Sequence, residues 1–262
     1  MEREKGISRS SSERQQEIRF MLNEHGHLSV LQLAQHFDVS EMTIRRDLKV
    51  LSSTGIITRE YGGATYSTSG QPNSIFFNRL GEAEREKTAI GKLAASLIQS
   101  GESIILDAGT TTLAVAQNLT QNCTVITNSL PIATILTGQK GINVLVTGGE
   151  VRESTYALVG QIAHSTLKAF NVDKLFLGVT GFSLERGLTT TNLLESEVKQ
   201  AMIHASKEVI LVAHSLKFEK VYYHTFADWY QINTLITDSG ISPNAKTELE
   251  KKGTNILVAS LE

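Results

Sequence analysis

The sequence predicts an α/β protein of two domains, in which an N-terminal winged helix-turn-helix domain precedes a Rossmann-like domain built on a parallel sheet. Three observations predict it. A capped helix with one apolar and one cationic face lies near the N-terminus, a short polar stretch follows, and apolar strands then alternate with amphipathic helices. We place the first domain at residues 13–66, the linker at 67–75 and the second domain at 76–262.

The composition is that of a folded globular chain. Its 262 residues suggest two domains, and a content of 40% hydrophobic and 20% charged residues excludes disorder of the whole chain. The net charge of -2 excludes the general coating of nucleic acid by a basic protein. Residues 14–66 carry six acidic and six basic side chains, so DNA binding there must depend on where the charges lie.

The only cysteine, Cys123, excludes an intramolecular disulfide, and it precedes an apolar run, so we expect a buried core thiol. We expect no metal and no cofactor. No apolar run approaches the ~18 residues of a membrane span, and residues 1–12 lack the apolar core of a signal peptide. We therefore expect a cytoplasmic protein without a membrane partner.

The first two predicted helices lie close together in the chain. The first covers residues 13–25, where apolar side chains recur at helical spacing. The second begins after Ser29, because Ser29 and Gln32 have the spacing of a capping box, and it runs to Phe37. Only two residues separate it from the next helix, and this short connection predicts a helix-turn-helix.

The third predicted helix is the one that we expect to lie in a DNA groove. Ser40 is a suitable N-cap and Gly55 a suitable stop. The apolar face consists of Ile44, Leu48 and Leu51. The opposite, cationic face consists of Met42, Arg45, Arg46 and Lys49. A solvated surface is the ordinary interpretation of such a face, but the helix before it and the hairpin after it favour DNA binding.

A β-hairpin follows this helix. Residues 56–60 and 64–66 alternate like short strands around Tyr61-Gly62-Gly63. The hairpin would be the wing, with Arg59 and Tyr61 near the phosphate backbone. The DNA contacts expected from the helix and the wing are Ser40, Met42, Thr43, Arg45, Arg46, Lys49, Arg59 and Tyr61.

Residues 14–66 resemble the winged-helix domain of DeoR-type transcriptional repressors of sugar catabolism. The resemblance rests on Val39-Ser40, on the run Thr43-Ile44-Arg45-Arg46-Asp47-Leu48, and on Arg59 followed by Gly62-Gly63-Ala64. The family usually carries a histidine where this chain has Tyr61. The resemblance implies a regulator that binds double-stranded operator DNA. Because such binding normally uses two half-sites, a homodimer or homotetramer is expected.

The second domain reads as alternating strands and helices. The predicted strands are 103–107, 124–127, 143–147, 174–179, 209–213, 234–238 and 255–259. The predicted helices are 85–99, 111–119, 131–138, 160–170, 193–206 and 243–252. Nearly continuous apolar strands separated by helices predict a parallel sheet that is covered on both faces.

Polar and glycine residues collect where the predicted strands end, which is where such sheets bind ligands. The run from Asp107 to Thr111 contains a glycine turn that leads into a helix, whose free amides suit a phosphate. Asp107 can accept hydrogen bonds from sugar hydroxyls. A purely structural turn is the competing interpretation, because the motif is short.

Charged residues complete the candidate effector site. Arg152 and Lys217 are the cations expected to approach the anion, and an ordinary surface ion pair is the alternative for each. Glu195 and Lys199 stand four residues apart on one helix, so a helix-stabilising pair is preferred for Lys199, and a hydroxyl contact stays open for Glu195. The expected effector contacts are Asp107, Gly109, Thr110, Thr111, Asn128, Gly148, Gly149, Arg152, Gly181, Glu195 and Lys217.

Residues 76–260 resemble the sensor domain of the same family, whose fold is similar to ribose-5-phosphate isomerase and whose ligands are usually phosphorylated sugars. The matching residues are Asp107, Gly109, Thr110, Thr111, Thr127, Asn128, Gly148, Gly149, Gly181, Glu195, Lys199 and Lys217. The family commonly has an aspartate where this chain has His214, and we expect His214 to face solvent or to be a hydrogen-bonded structural side chain.

The resemblance implies a repressor of a carbohydrate catabolic operon whose operator affinity changes when a phosphorylated sugar binds. The alternative is sugar-phosphate isomerase or deaminase activity in the second domain. Proton transfer there would need Asp107, Glu150, Glu195 or His214 within reach of the substrate. We expect a regulator and not an enzyme, because a winged helix is fused to the domain and no catalytic motif matches.

Overall fold

The structure is a computed structural model that describes residues 11, 14–15, 17–18, 21–22, 27–53, 57–60, 62–66 and 79–261. The chain divides into two compact units, Met1–Asn73 and Ser74–Glu262. The predicted linker, 67–75, lies outside the described residues, and the domain bounds given above stay a prediction. Each unit contains a hydrophobic core of its own.

The first unit is a winged helix-turn-helix, as predicted. Its elements are β1 (His27–Ser29), α1 (Val30–Phe37), α2 (Glu41–Ser53), β2 (Ile57–Glu60) and β3 (Gly63–Tyr66). The strands form an antiparallel sheet in the order β1-β3-β2, of which only the β2–β3 hairpin was predicted. The residues described between positions 11 and 22 are helical, in agreement with the first predicted helix.

Side-chain caps fix the helix-turn-helix. Ser29 and Gln32 form the predicted capping box at the start of α1. Asp38 takes the left-handed conformation that ends α1, with φ 49°. The Ser40 hydroxyl accepts a hydrogen bond from the Thr43 amide at 3.2 Å, which confirms the N-cap of α2. Gly55, the predicted stop, lies outside the described residues.

The second unit contains a larger number of elements. Its helices are α3 (Glu84–Ser96), α4 (Thr110–Gln117), α5 (Leu130–Leu136), α6 (Gln161–Leu167), α7 (Leu193–His204) and α8 (Pro243–Lys251). Its strands are β4 (Ser103–Leu106), β5 (Cys123–Thr127), β6 (Ile142–Val146), β7 (Glu150–Arg152), β8 (Ala157–Val159), β9 (Val172–Leu177), β10 (Gly181–Ser183), β11 (Gly187–Thr190), β12 (Ser206–Val212), β13 (His224–Ala227), β14 (Thr234–Asp238) and β15 (Asn255–Ala259).

The seven predicted strands form one parallel sheet in the order β15-β14-β12-β9-β4-β5-β6. Within this sheet, β4 comes first in the chain, and β5 and β6 extend the sheet on one side of it. The chain then crosses to β9, on the other side of β4. The strand order therefore reverses between β4 and β9. In open sheets of this kind, a crevice forms at the carboxyl ends of the strands where the order reverses.

Alternate side chains of each strand enter two cores, one on each face of the sheet. On one face, Ile104 and Phe176 pack with Ile90 of α3 and Val115 of α4. On the other face, strand residues such as Leu175 pack against α6, α7 and α8. Cys123 lies in the first of these cores as a free thiol, as expected, and burial raises its pKa to about 11.

Two small antiparallel sheets were not predicted. One pairs β7 with β8, and the other has the order β10-β11-β13. Their strands are three or four residues long, which is too short for an alternating pattern to be recognised. Among the residues described, no helix is both long enough and apolar enough to cross a bilayer.

Candidate nucleic-acid interface and ligand cavity

The helix α2 has the two faces that its sequence predicted. Ile44 and Leu48 are buried in the core of the first unit. Met42 is 70% exposed, and the basic side chains of α2 are exposed as well. The guanidinium of Arg45 lies 3.3 Å from the Glu41 carboxylate one turn earlier, which is a weak surface contact that a phosphate can replace. The face is therefore available to DNA.

The remaining predicted DNA contacts flank this face. Arg59 is exposed on β2, at the hairpin whose turn contains Gly62 with φ 87°. The Ser40 and Thr43 hydroxyls lie 2.9 Å apart at the first turn of α2. Tyr61 lies outside the described residues. Cationic side chains on one helix and on the adjacent hairpin form the arrangement with which winged helices contact bases and backbone.

A cleft of about 620 Å³, counted with its open mouth, lies in the second unit at the carboxyl ends of β4 and β9. Eleven of its sixteen lining residues have polar or charged side chains, and the lining consists of Arg79, Asp107, Ala108, Gly109, Thr110, Thr111, Thr112, Asn128, Thr155, Ala157, Gly178, Val179, Thr180, Glu195, Lys199 and Lys217. The cleft thus occupies the point where the strand order reverses.

Asp107 lies at the base of this cleft and joins its two sides. The carboxylate accepts a hydrogen bond from the Gly178 amide at 2.9 Å and another from the Lys199 ammonium. Lys199 also donates to the Gly178 carbonyl at 3.0 Å. Burial raises the pKa of Asp107, although Lys199 and the Gly178 amide oppose that rise. The ion pair links the end of β4 to α7, and the hydrogen bonds of Gly178 link both to the end of β9.

The N-terminus of α4 opens into the cleft without a side-chain cap. Gly109 occupies the N-cap position, and the first backbone bond of the helix runs from the Leu113 amide to the Gly109 carbonyl at 3.0 Å. The amides of residues 110–112 precede that bond, so the helix itself does not satisfy them. The buried Thr111 hydroxyl has no hydrogen-bond partner among the described residues. These groups form a donor site for an anion.

Two cations at the cleft are not paired with a carboxylate of the described residues. Lys217 donates to the Val179 carbonyl at 2.7 Å, and no ion pair involves it or Arg79 within the described part of the chain. Burial, together with the positive charges of Arg79, Lys87 and Lys199, lowers the pKa of Lys217 to about 7. An anion in the cleft would relieve this repulsion.

Glu195 is held by three groups around it. Its carboxylate accepts hydrogen bonds from Thr155 at 2.9 Å and from Thr190 at 3.1 Å. The Arg152 guanidinium lies 3.2 Å away as an ion pair. Both carboxylates that line the cleft are thus bound by protein donors. The described residues contain no group of three acidic, histidine or cysteine side chains that could hold a metal ion.

Comparisons with known proteins identify the family. The model of the DeoR-like helix-turn-helix domain matches residues 14–70, and the model of the DeoR C-terminal sensor domain matches residues 82–239. The chain belongs to the DeoR family. The transcriptional repressor AccR of Agrobacterium fabrum is 35% identical over 262 residues, which cover 97% of this chain and 100% of AccR. The repressor GlcR of Bacillus subtilis is 36% identical over 238 residues, with coverage of 90% and 92%.

Among solved structures, ribose 5-phosphate isomerase A of Methanocaldococcus jannaschii aligns with this DeoR-family chain at a TM-score of 0.37 and 17% identity. The alignment covers 52% of this chain and 55% of the isomerase. The sorbitol operon regulator SorC of Klebsiella pneumoniae aligns at a TM-score of 0.39 and 13% identity, covering 89% of this chain and 98% of SorC.

The structure brings most of the predicted effector residues of this DeoR-family protein to one cleft. Those that line it are Asp107, Gly109, Thr110, Thr111, Asn128, Glu195 and Lys217. Asn128 has a structural task there, because its side chain accepts from the Ala108 amide at 2.9 Å and donates to the Leu158 carbonyl at 3.2 Å. It shapes the turn before α4.

The other predicted effector residues do not line the cleft, and they are Gly148, Gly149, Arg152 and Gly181. The Arg152 guanidinium forms an ion pair with the Glu195 carboxylate. Gly149 and Gly181 allow close backbone contacts, since an added Cβ would lie 2.5 Å from the Val159 carbonyl and 2.3 Å from the Lys220 carbonyl respectively. Gly148 adopts φ 69° in the same connection as Gly149.

Two expectations for the sensor domain are wrong. Lys199 does not form a helix pair with Glu195, because the fold brings Asp107 to it, and its ammonium also lies 5.5 Å from the Phe226 ring centre. His214 does not face solvent. It is buried, its Nδ1 has no partner among the described residues, and burial with Lys217 nearby lowers its pKa to about 3. His214 is therefore neutral near pH 7.

Sequence reasoning did not assign Arg79, Thr155 and Thr180 to the site. Thr155 and Thr180 carry no local signal in the sequence. The Arg79 carbonyl accepts a hydrogen bond from Lys87, whose pKa burial lowers to about 8. The local sequence gives little signal for this edge of the cleft, because Arg79 is the one cation between residues 67 and 83.

Proposed function

We propose that the protein is a transcriptional repressor that binds operator DNA through α2 and the β2–β3 wing, and that a phosphorylated sugar in the cleft sets its DNA affinity. One observation carries the choice of effector. The cleft combines an uncapped helix N-terminus with Arg79 and Lys217, two cations without a carboxylate partner among the described residues. This arrangement favours an anionic group such as a phosphate.

The rest of the cleft favours a polyhydroxylated body for that ligand. Carboxylate and hydroxyl oxygens of Asp107, Thr110 and Glu195 lie along the lining. Such groups exchange hydrogen bonds with sugar hydroxyls, and they would be costly to bury against an apolar ligand. Family membership supports ligand sensing by this unit, since one family model describes a sensor domain.

Regulation follows from linkage. A ligand that binds one arrangement of the protein better than another shifts the population toward it, and DNA affinity changes in proportion. A homodimer or homotetramer would place two copies of α2 on two half-sites of an operator. Sedimentation of the full chain, alone and with operator, measures that state, and a monomer on a single half-site would contradict the oligomeric part of the proposal.

The DNA-binding part is tested with Arg45→Ala and Arg46→Ala. Each is expected to weaken operator binding in gel shifts at fixed salt, by about 1–3 kcal/mol if the side chain reads a base. Lys252→Ala, in the second unit, removes one exposed cation of the same sign and serves as the control. Unchanged binding by both arginine variants would rule out the proposed role of α2.

The effector part is tested by a thermal-shift screen in which each sugar phosphate is compared with its unphosphorylated sugar. A ligand that binds the folded state raises the melting temperature, and the expected shift requires the phosphate. The same sample, incubated with ribose 5-phosphate and with glucosamine 6-phosphate, tests the alternative enzymatic activity. Turnover of either substrate would overturn the assignment of the cleft to effector binding alone.

A further inference from the structure

Asp47 is an unusual residue for the helix that is proposed to read DNA. It stands between Arg46 and Leu48 on α2, where the neighbouring charged side chains are exposed. The Asp47 side chain, in contrast, is only 3% exposed. A carboxylate buried on a cationic helix needs a reason, because removing it from water is costly unless donors replace the water.

Within the described part of the chain, the side-chain donors that replace water come from one segment. The Arg14 Nε lies 2.6 Å from one oxygen of Asp47. The Gln15 amide donates to the other oxygen at 2.8 Å, and the Ser11 hydroxyl donates to it at 3.2 Å. These three residues belong to the helical segment that precedes β1. Asp47 thus ties the recognition helix to the first helical segment.

Stability alone does not explain this arrangement. A buried ion pair roughly balances its Coulombic gain against its desolvation cost, and apolar residues of similar volume often stabilise a protein as well or better. What the charged, multiply hydrogen-bonded pair adds is a defined geometry. Ile44 and Leu48 hold α2 against the core through hydrophobic contacts, which are non-directional. Asp47, on the flank of that apolar face, is held by hydrogen bonds, which are directional.

We propose that Asp47 is a positioning residue for DNA reading: held by Arg14 and Gln15, it fixes the rotation of α2 about its axis, so that Arg45 and Arg46 point at base edges. The inference rests on the proposed DNA binding by α2. We call the bonds from Arg14 and Gln15 to Asp47 the clamp. Without the clamp, α2 stays folded and cationic, but its side chains enter the groove at a variable angle. Sequence-specific binding is then lost before general affinity for DNA.

The test compares Asp47→Asn with the wild type on two duplexes. One is selected by the wild-type protein from a random-sequence pool, and the other has the same composition in shuffled order. The asparagine keeps the size of the side chain and removes a negative charge beside DNA, so simple electrostatics predicts equal or tighter binding to both duplexes. A positioning role predicts about tenfold or greater loss on the selected duplex only.

Asp38→Asn is the matched control. It removes the same charge from an exposed site between α1 and α2, and asparagine accepts the left-handed conformation of that residue. The selected-to-shuffled affinity ratio is expected to fall in Asp47→Asn and to be unchanged in Asp38→Asn. Equal ratios in both variants would overturn the inference. A wild-type protein that selects no sequence would refute the proposed DNA binding itself, and the inference with it.

A thermal melt of each variant separates positioning from unfolding. If Asp47→Asn is unfolded at the assay temperature, Arg14→Lys replaces it, because lysine keeps the positive charge but cannot reproduce the bond from Nε. A fall in the affinity ratio of Arg14→Lys, with shuffled-duplex affinity unchanged, supports the clamp. An unchanged ratio overturns it.

Discussion

Among the described residues that line the cleft, Lys217 changes its charge near neutral pH. Its pKa of about 7 results mainly from burial and secondarily from the neighbouring cations, first of all Arg79. The ammonium is therefore mostly present one unit below that value and mostly absent one unit above it. A bound phosphate stabilises the charged form and raises the pKa of Lys217.

We predict that the affinity for a sugar phosphate falls, by about tenfold, between a pH of about 6 and a pH of about 8. Binding requires protonated Lys217, so the protein takes up a proton on binding when the pH is above 7. The ligand does not cause the fall, because its own second pKa is about 6 and it is already doubly charged at higher pH. Calorimetric titration in buffers of different ionisation heat measures both the ligand affinity and the number of protons taken up on binding.

Lys217→Arg provides the control, since a guanidinium stays charged throughout this range. Its ligand affinity is expected to be flat where that of the wild type falls. Because the pKa of His214 is about 3, this residue stays neutral and contributes nothing to the pH dependence. A wild-type affinity that does not change over the range would contradict the assignment of Lys217 to the anion site.

Two adjacent threonines give a paired prediction. The Thr111 hydroxyl is buried without a partner among the described residues, whereas the Thr112 hydroxyl donates to the Gly109 carbonyl at 2.9 Å. Thr111→Val is expected to leave the free energy of unfolding unchanged or slightly higher and to weaken ligand binding. Thr112→Val is expected to lower the free energy of unfolding by about 1 kcal/mol. Urea denaturation and the ligand-induced thermal shift distinguish the two, and equal effects of the two substitutions would contradict the donor role of Thr111.

Residue by residue, the sequence was informative where the signal is local. The capping residues Ser29 and Ser40 and the turn around Gly109 were predicted because each acts on amides within a few positions. The partner of Lys199 was not, because Asp107 is 92 positions away along the chain and Glu195 is four. Long-range pairing depends on strand order, which periodicity does not encode.

At the level of elements, the contact between α3 and α4 supports the cleft, because α4 carries the open helix terminus. Gly91 of α3 allows this contact, since an added Cβ would lie 2.6 Å from the carbonyl carbon and oxygen of Ala114. Alanine has the better helix propensity, by about 1 kcal/mol, but the overlap costs about 1–3 kcal/mol.

We therefore predict that Gly91→Ala lowers the free energy of unfolding by up to about 2 kcal/mol and also reduces ligand-induced stabilisation. Chemical denaturation with and without ligand is the measurement. Ser96→Ala, at the exposed end of the same helix, should change the free energy of unfolding by less than about 0.5 kcal/mol. A more stable Gly91→Ala protein would show that the two helices can separate at no cost.

The long elements and the short ones differ in how far sequence predicts them. Six of the seven strands of the parallel sheet lie within two residues of their predicted bounds, because a buried strand is nearly continuous in apolar residues. The seventh, β12, begins three residues before its predicted start, because residues 206–208 are polar. The β7–β8 hairpin was not found, although it places Thr155 at the cleft and Arg152 beside Glu195. As a result, the contact between Arg152 and Glu195 was not predicted, and a role of Arg152 in effector binding stays a prediction.

For the whole molecule, the presence of two units with separate cores predicts two calorimetric transitions. A sugar phosphate is expected to raise the temperature of the transition that belongs to residues 74–262. Selected operator DNA is expected to raise that of residues 1–73. When both ligands are present, the change in each temperature shift measures the coupling free energy between the two binding sites. This coupling free energy must be the same whether the effect of the sugar phosphate on DNA binding or the effect of DNA on sugar-phosphate binding is measured. A single transition that both ligands move equally would contradict the two-unit description.

The order of strands in the parallel sheet also affects the protein while a ribosome is still making it. The cleft needs β9 beside β4, as well as Lys217, so it cannot exist until well over half of the chain has been translated. The DNA-reading unit, in contrast, ends at Asn73. Domains fold in turn as they emerge, at about 5–20 residues per second, so the two events are separated by about 10–30 s. During that interval, a nascent chain already carries its reading helix but has no means of sensing the metabolite.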